Sequence, residues 1–123
     1  MEKTKNFKEL VVWQRAHQFV LRIYGLTKGF PREELFGLTS QLRRASISIT
    51  ANIVEGYTKR GQKDKMRFFN IAQGSIAECK YFLMLTRDLN YGQVKELESD
   101  LEEISKLLNA YIRGIARNTN PID

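Results

Sequence analysis

The sequence predicts an all-α fold, an antiparallel up-down-up-down four-helix bundle. Three observations lead there. Apolar residues recur at three- and four-residue steps in four long stretches. No stretch shows the period-two alternation of a half-buried strand with strand-like length and flanks. The breaks between the four stretches are short and carry Gly, Pro or Asn, and short connections join antiparallel neighbours.

The first helix is expected from about Lys8 to Lys28. Leu10, Trp13, Ala16, Phe19, Val20 and Ile23 form its apolar stripe. Gly29-Phe30-Pro31 ends it, because glycine suits the position after a helix and proline cannot continue the ladder. Pro31-Arg32-Glu33-Glu34 fits a short helical turn, with acids near its positive end.

The second helix begins at Leu38 or Thr39 and reaches about Lys59. Leu38, Leu42, Ala45, Ile49, Asn52 and Gly56 make its stripe, widened by Ile53 and Val54. Residues 45–51 are small or β-branched, so propensity there is mediocre and packing must hold the helix.

Gly61 separates the third helix, about Gln62 to Leu89. Its stripe is Phe69, Ala72, Ile76, Cys79, Leu83 and Thr86. Gly74 costs about 1 kcal/mol against alanine inside a helix, and a close helix crossing there is the expected return. Asn90-Tyr91-Gly92 turns the chain. The fourth helix, about Gln93 to Ala116, carries Val94, Leu97, Leu101, Ile104, Leu108, Tyr111 and Ile115 in a seven-residue repeat. Its outer face bears Glu96, Glu98, Asp100, Glu102 and Glu103. The whole of 1–123 reads as one domain, with frayed ends at about 1–6 and 118–123.

Composition narrows the function classes. One cysteine, Cys79, excludes an intramolecular disulfide. One histidine, His17, cannot supply the paired Glu-x-x-His motifs of a di-iron bundle. A haem pairing of His17 with Met66 or Met84 has no motif behind it. Cys79 lies on an apolar stripe and reads as a small core residue rather than a nucleophile. No phosphate-binding glycine motif, membrane-length apolar run or signal-like apolar segment occurs. The expectation is a cytoplasmic protein without membrane span, metal, cofactor or enzymatic activity.

Charge is the positive signal. The chain has a net charge of +6. Residues 1–67 carry 14 basic and six acidic side chains, and residues 68–123 carry six and eight. Lys59, Arg60, Lys63, Lys65 and Arg67 gather within nine residues, offset by Asp64 and flanked by Tyr57 and Phe68. Cations neutralise phosphates and aromatics stack on bases, so these residues, with Arg43 as a neighbour, are the candidate nucleic-acid contacts. A solvated charge run at a helix turn is the competing reading.

Gln41, Arg44, Ser48, Asn52 and Glu55, with Ser75 and Glu78 on the third helix, form a second polar set. Buried, such groups must pair, which makes a network fixing helix register. The sharper alternative is a Glu55–Glu78 carboxylate pair. Trp13, Phe19, Tyr24, Phe36 and Tyr91 exceed what four stripes need, and exposed aromatics mark interfaces. They motivate the second functional reading, a protein-interaction scaffold.

Several of these pieces, in order, resemble the four-helix-bundle proteins encoded by intervening sequences of bacterial 23S ribosomal RNA genes. The pieces are residues 7–17, Tyr24, the run 37–45, Ser48-Ile49, Asn52-Ile53-Val54-Glu55-Gly56, Gly74-Ser75 and Glu78. Val54 stands where the family pattern more often has alanine. The resemblance extends to the accessory protein of diversity-generating retroelements, a pentameric barrel that binds nucleic acid and a reverse transcriptase. It therefore implies a homo-oligomer, a pentamer by this likeness, with RNA or DNA and a protein such as a reverse transcriptase as partners.

Overall fold

The protein's structure, a computed structural model, describes residues 6–117. Four α-helices and no strand occur among them: α1 Val11–Thr27, α2 Leu38–Thr58, α3 Gln62–Asp88 and α4 Lys95–Arg117. Two 3-10 turns, Phe7–Glu9 and Arg32–Glu34, precede α1 and α2. The second is the turn expected after Pro31. Residues 1–5 and 118–123 of the expected frayed ends lie outside the described residues. Asn6 lies inside them, and its side chain accepts a hydrogen bond from the Lys8 N–H at 2.9 Å.

α2 packs most extensively on α3, while α1 touches α2 and α4, and α3 touches α4. The four helices therefore close a cycle of neighbours around one core. Partner numbers fall along α3 as they rise along α2: Arg44 meets Glu78, Ser48 meets Ser75, and Gly56 meets Phe69. The same opposed order joins α3 to α4, through Lys80–Glu102 and Gln73–Asn109. This order is compatible with antiparallel neighbours.

The core follows the apolar stripes. All six predicted stripe residues of α3, Phe69 through Thr86, are buried, as are Leu97, Leu101, Ile104 and Leu108 of α4. α2 departs at one position. Asn52 is half-exposed and Ile53 is fully buried in its place, so the stripe runs Leu38, Leu42, Ala45, Ile49, Ile53 and Gly56. The reason is polar: Asn52 Nδ2 donates to the Ser48 carbonyl at 2.8 Å and to Ser48 Oγ at 3.1 Å.

The close crossing is at Gly56 rather than Gly74. A Cβ on Gly56 would stand 2.7 Å from Phe69 Cδ1 and 2.8 Å from its Cζ. A Cβ on Gly74 would meet nothing within 4 Å. The expectation of a crossing at Gly74 is thus corrected: that residue is exposed, and its helix approaches α2 further toward the N-terminus.

Cys79 is fully buried, and burial pushes its thiol up to about 12, with Glu78 adding to the shift and Arg44 opposing it. The thiolate is the reactive species, so Cys79 should resist thiol reagents at pH 8 in the native protein. Full labelling should appear only in denaturant, and a stoichiometric reaction of the folded chain would contradict the packing.

Candidate nucleic-acid interface

The α2–α3 turn forms because α2 stops at Lys59, whose backbone is extended, and Gly61 opens α3. The last carbonyls of α2 need donors. Lys65 supplies them, with Nζ 3.1 Å from the Gly56 oxygen and 2.9 Å from the Tyr57 oxygen. Burial pulls the Lys65 ammonium below the ordinary lysine range. Lys65 therefore closes the turn.

Lys59 is also engaged. Its Nζ lies 3.6 Å from Glu55 Oε2 and 5.2 Å from the Phe68 ring centroid. Arg67 sits over the same ring, its Cζ 4.8 Å from the centroid. Arg60, Lys63 and Arg67 are exposed and pair with no carboxylate among the described residues. Asp64, also exposed, lies beside them.

Arg43 does not join this cluster. Its Nε donates to Thr27 Oγ1 at 2.8 Å, and its guanidinium lies 4.5 Å from the Tyr24 ring centroid. It ties α2 to α1 sixteen residues before Lys59, about 24 Å along the helix at 1.5 Å per residue.

The second polar set divides into three. Arg44 Nη2 reaches Glu78 Oε2 at 2.9 Å and its Nε reaches Gln41 Oε1 at 3.2 Å. Ser75 Oγ, on a residue only 4% exposed, donates to Ser48 Oγ at 2.7 Å, and Asn52 completes that group. Glu55 stands apart with Lys59. Glu78 therefore sits opposite Arg44, eleven residues from Glu55 along α2, or about 16 Å. The carboxylate pair is not assembled, and the register network is two separate bridges rather than one continuous face.

The acidic face of α4 is matched by bases. Arg15 meets Glu103 at 2.8 Å, Arg22 meets Asp100 at 2.7 Å, Lys80 meets Glu102 at 2.8 Å, and Arg87 meets Glu98 at 3.3 Å. The hydrogen bond and charge of Lys80 hold Glu102 below the ordinary carboxylate range. These pairs are exposed and individually worth little. Their consequence is electrostatic: four of the five acids on the outer face of α4 are already neutralised locally. Sequence reasoning missed this because each partner lies on another helix.

The aromatic excess resolves unevenly. Phe19 is core, Trp13 stacks on His17 at 5.0 Å, and the Tyr91 hydroxyl donates to Glu34 Oε2 at 3.0 Å. Phe36 alone among them is bare, 91% exposed, in a shallow groove with Tyr24, Leu35 and Ile47.

Among the described residues the geometry defines an all-helical protein of four helices, with three exposed cations that meet no carboxylate, Arg60, Lys63 and Arg67, at the α2–α3 turn. No described helix is long and apolar enough to cross a membrane. The chain belongs to the family described as 23S rRNA-intervening sequence protein, whose model matches residues 8–110. It is similar to a solved structure from Bacteroides thetaiotaomicron VPI-5482, a protein of unknown function from the S23 ribosomal protein family. The two share 33% identity with a TM-score of 0.75, over 84% of this chain and 96% of that one. No curated protein matches the chain.

Proposed function

We propose that the chain is a non-enzymatic, oligomeric nucleic-acid-binding protein of the cytoplasm, built as an antiparallel up-down-up-down bundle. The observation that carries this reading is the group Arg60, Lys63 and Arg67, exposed and without carboxylate partners among the described residues. The local matching of α4's acids supports it, because the net charge of +6 is then left to the remaining surface. Gel shifts with RNA and DNA across a salt series test it. Arg60→Glu with Lys63→Glu should weaken binding at least about tenfold, since two phosphate contacts become repulsions. Unchanged affinity in that variant, or no binding at low salt, would overturn the reading.

Phe36 favours a second element, a protein-interaction scaffold. A bare phenylalanine beside Leu35, 50% exposed, and Ile47, 42% exposed, suits an apolar contact. Copies of the chain are the first occupants to consider, a five-membered ring by the likeness described above, with a reverse transcriptase as a heterologous partner. Native mass spectrometry should give an oligomer that Phe36→Ser shifts toward monomer. A clean wild-type monomer at micromolar concentration would remove the oligomer.

A further inference from the structure

We infer that the α2–α3 turn holds a nucleic-acid duplex through its phosphates, with no base stacked on the protein. This rests on the nucleic-acid reading and narrows it to a ligand class. Proteins that take single strands use open aromatic faces, each stacked base contributing about 1–3 kcal/mol. The turn has two aromatics, and both are engaged by cations of their own chain. Lys65 Nζ lies 5.8 Å from the Tyr57 ring centroid and is fixed there by its two carbonyl bonds. The half-buried Phe68 ring has Lys59 on it at 5.2 Å and Arg67 at 4.8 Å. A base would have to displace these contacts and then recover their energy.

What remains for a ligand is charge on a rigid frame. Lys63 and Arg67 stand four residues apart on α3, on one face and roughly 6 Å apart, with Arg60 in the turn before them. Asp64 is the one acid beside them and reduces the field. Without stacking, a single strand has nothing to offset its lower charge density. A duplex offers more phosphates per unit length in a fixed array, and its binding depends more steeply on salt.

Arg60, Lys63 and Arg67, the three cations of this turn that pair with no carboxylate, set the expected slope. On duplex DNA, log K should fall against log salt by about 3 per bound protomer. Fluorescence anisotropy would compare labelled DNA and RNA duplexes of about 20 bp with oligothymidine of equal length, from about 50 to 200 mM salt. Either duplex should bind several-fold more tightly than oligothymidine. Arg60→Gln and Lys63→Gln should each reduce the slope by about 1. Phe68→Leu should change duplex affinity less than twofold. Oligothymidine binding as tightly as the duplexes, or a fivefold loss in a folded Phe68→Leu variant, would overturn the inference while leaving the nucleic-acid reading intact. If neither probe binds at the lowest salt, both fall together. Should Phe68→Leu melt early by circular dichroism, the wild-type comparison decides alone.

Discussion

Gly56→Ala should destabilise the protein by about 1–2 kcal/mol, although alanine is the better helix former. Inside a helix the exchange of glycine for alanine gains about 1 kcal/mol of propensity. At Gly56 the new methyl meets the Phe69 ring, with Cδ1 at 2.7 Å and Cζ at 2.8 Å. That ring cannot retreat: it is fully buried and set edge-on to Tyr111 with centroids 5.5 Å apart. Overpacking a filled core costs roughly 1–3 kcal/mol through off-rotamer side chains and backbone shifts, and the close approach here puts Gly56 in the upper part of that range. Gly74→Ala is the internal control. Its methyl meets nothing within 4 Å, so it should stabilise by about 0.5–1 kcal/mol. Urea titrations of the two variants should therefore move in opposite directions. A Gly56→Ala variant as stable as wild type would mean that α2 and α3 are not held at this distance. Phe69→Leu should relieve part of the cost, giving a coupling above about 1 kcal/mol in a double-mutant cycle.

That pair of glycines also marks where sequence reading stops. Periodicity identifies faces because it is a property of one helix at a time. It placed the buried stripe of α3 residue by residue, from Phe69 to Thr86. It misassigned Asn52, because the choice between Asn52 and Ile53 is made by hydrogen bonds to Ser48, one turn back. Which glycine meets a neighbour depends on the register between two helices. Gly74 stands among Ala72, Ser75 and Ala77, whereas Gly56 lies between Glu55 and Tyr57, so local composition favoured the wrong glycine.

The candidate site shows the same boundary. The cluster at 59–67 was legible as charge. Its division into capping, stacking and free cations was not, since Lys65 acts on carbonyls eight and nine residues away in sequence. Arg43 stands apart from the turn for a related reason. Its grouping with the turn assumed that basic residues gather, whereas Thr27 and Tyr24 hold it at the other end of α2. Two of the ion pairs of α4 reach α1 at the far end of the sequence and two reach the preceding helix α3, and only the folded chain turns a run of acids into four matched pairs.

Glu34→Ala should cost about 2 kcal/mol, the other large effect expected, because one carboxylate joins three segments. Its Oε1 accepts from the Leu38 N–H at 3.2 Å, capping α2 where Gly37 has no side chain to do so. Its Oε2 accepts from the Tyr91 hydroxyl at 3.0 Å, tying in the α3–α4 connection. Caps contribute about 1 kcal/mol, and hydrogen bonds to charged groups about 1.5–3 kcal/mol before solvent exposure weakens them. Gly37 fits this arrangement, since a Cβ there would stand 2.7 Å from Glu34 Oε1. Tyr91→Phe should lower stability by less than Glu34→Ala and should couple to it in a double-mutant cycle. The pH dependence separates the two bonds. The hydrogen bond to Glu34, with burial and the charges of Glu34 and Glu33, raises the Tyr91 phenol above its ordinary value. A raised phenol favours the fold fully below the ordinary tyrosine value of about 10 and loses that contribution as pH rises through the folded value. The stability difference between wild type and Tyr91→Phe should therefore be constant near neutrality and shrink above about pH 10. The cap to Leu38 involves no such proton, so Glu34→Ala should stay the less stable variant at alkaline pH. A Tyr91→Phe difference that grows with pH would show that the phenol is not held by the carboxylate.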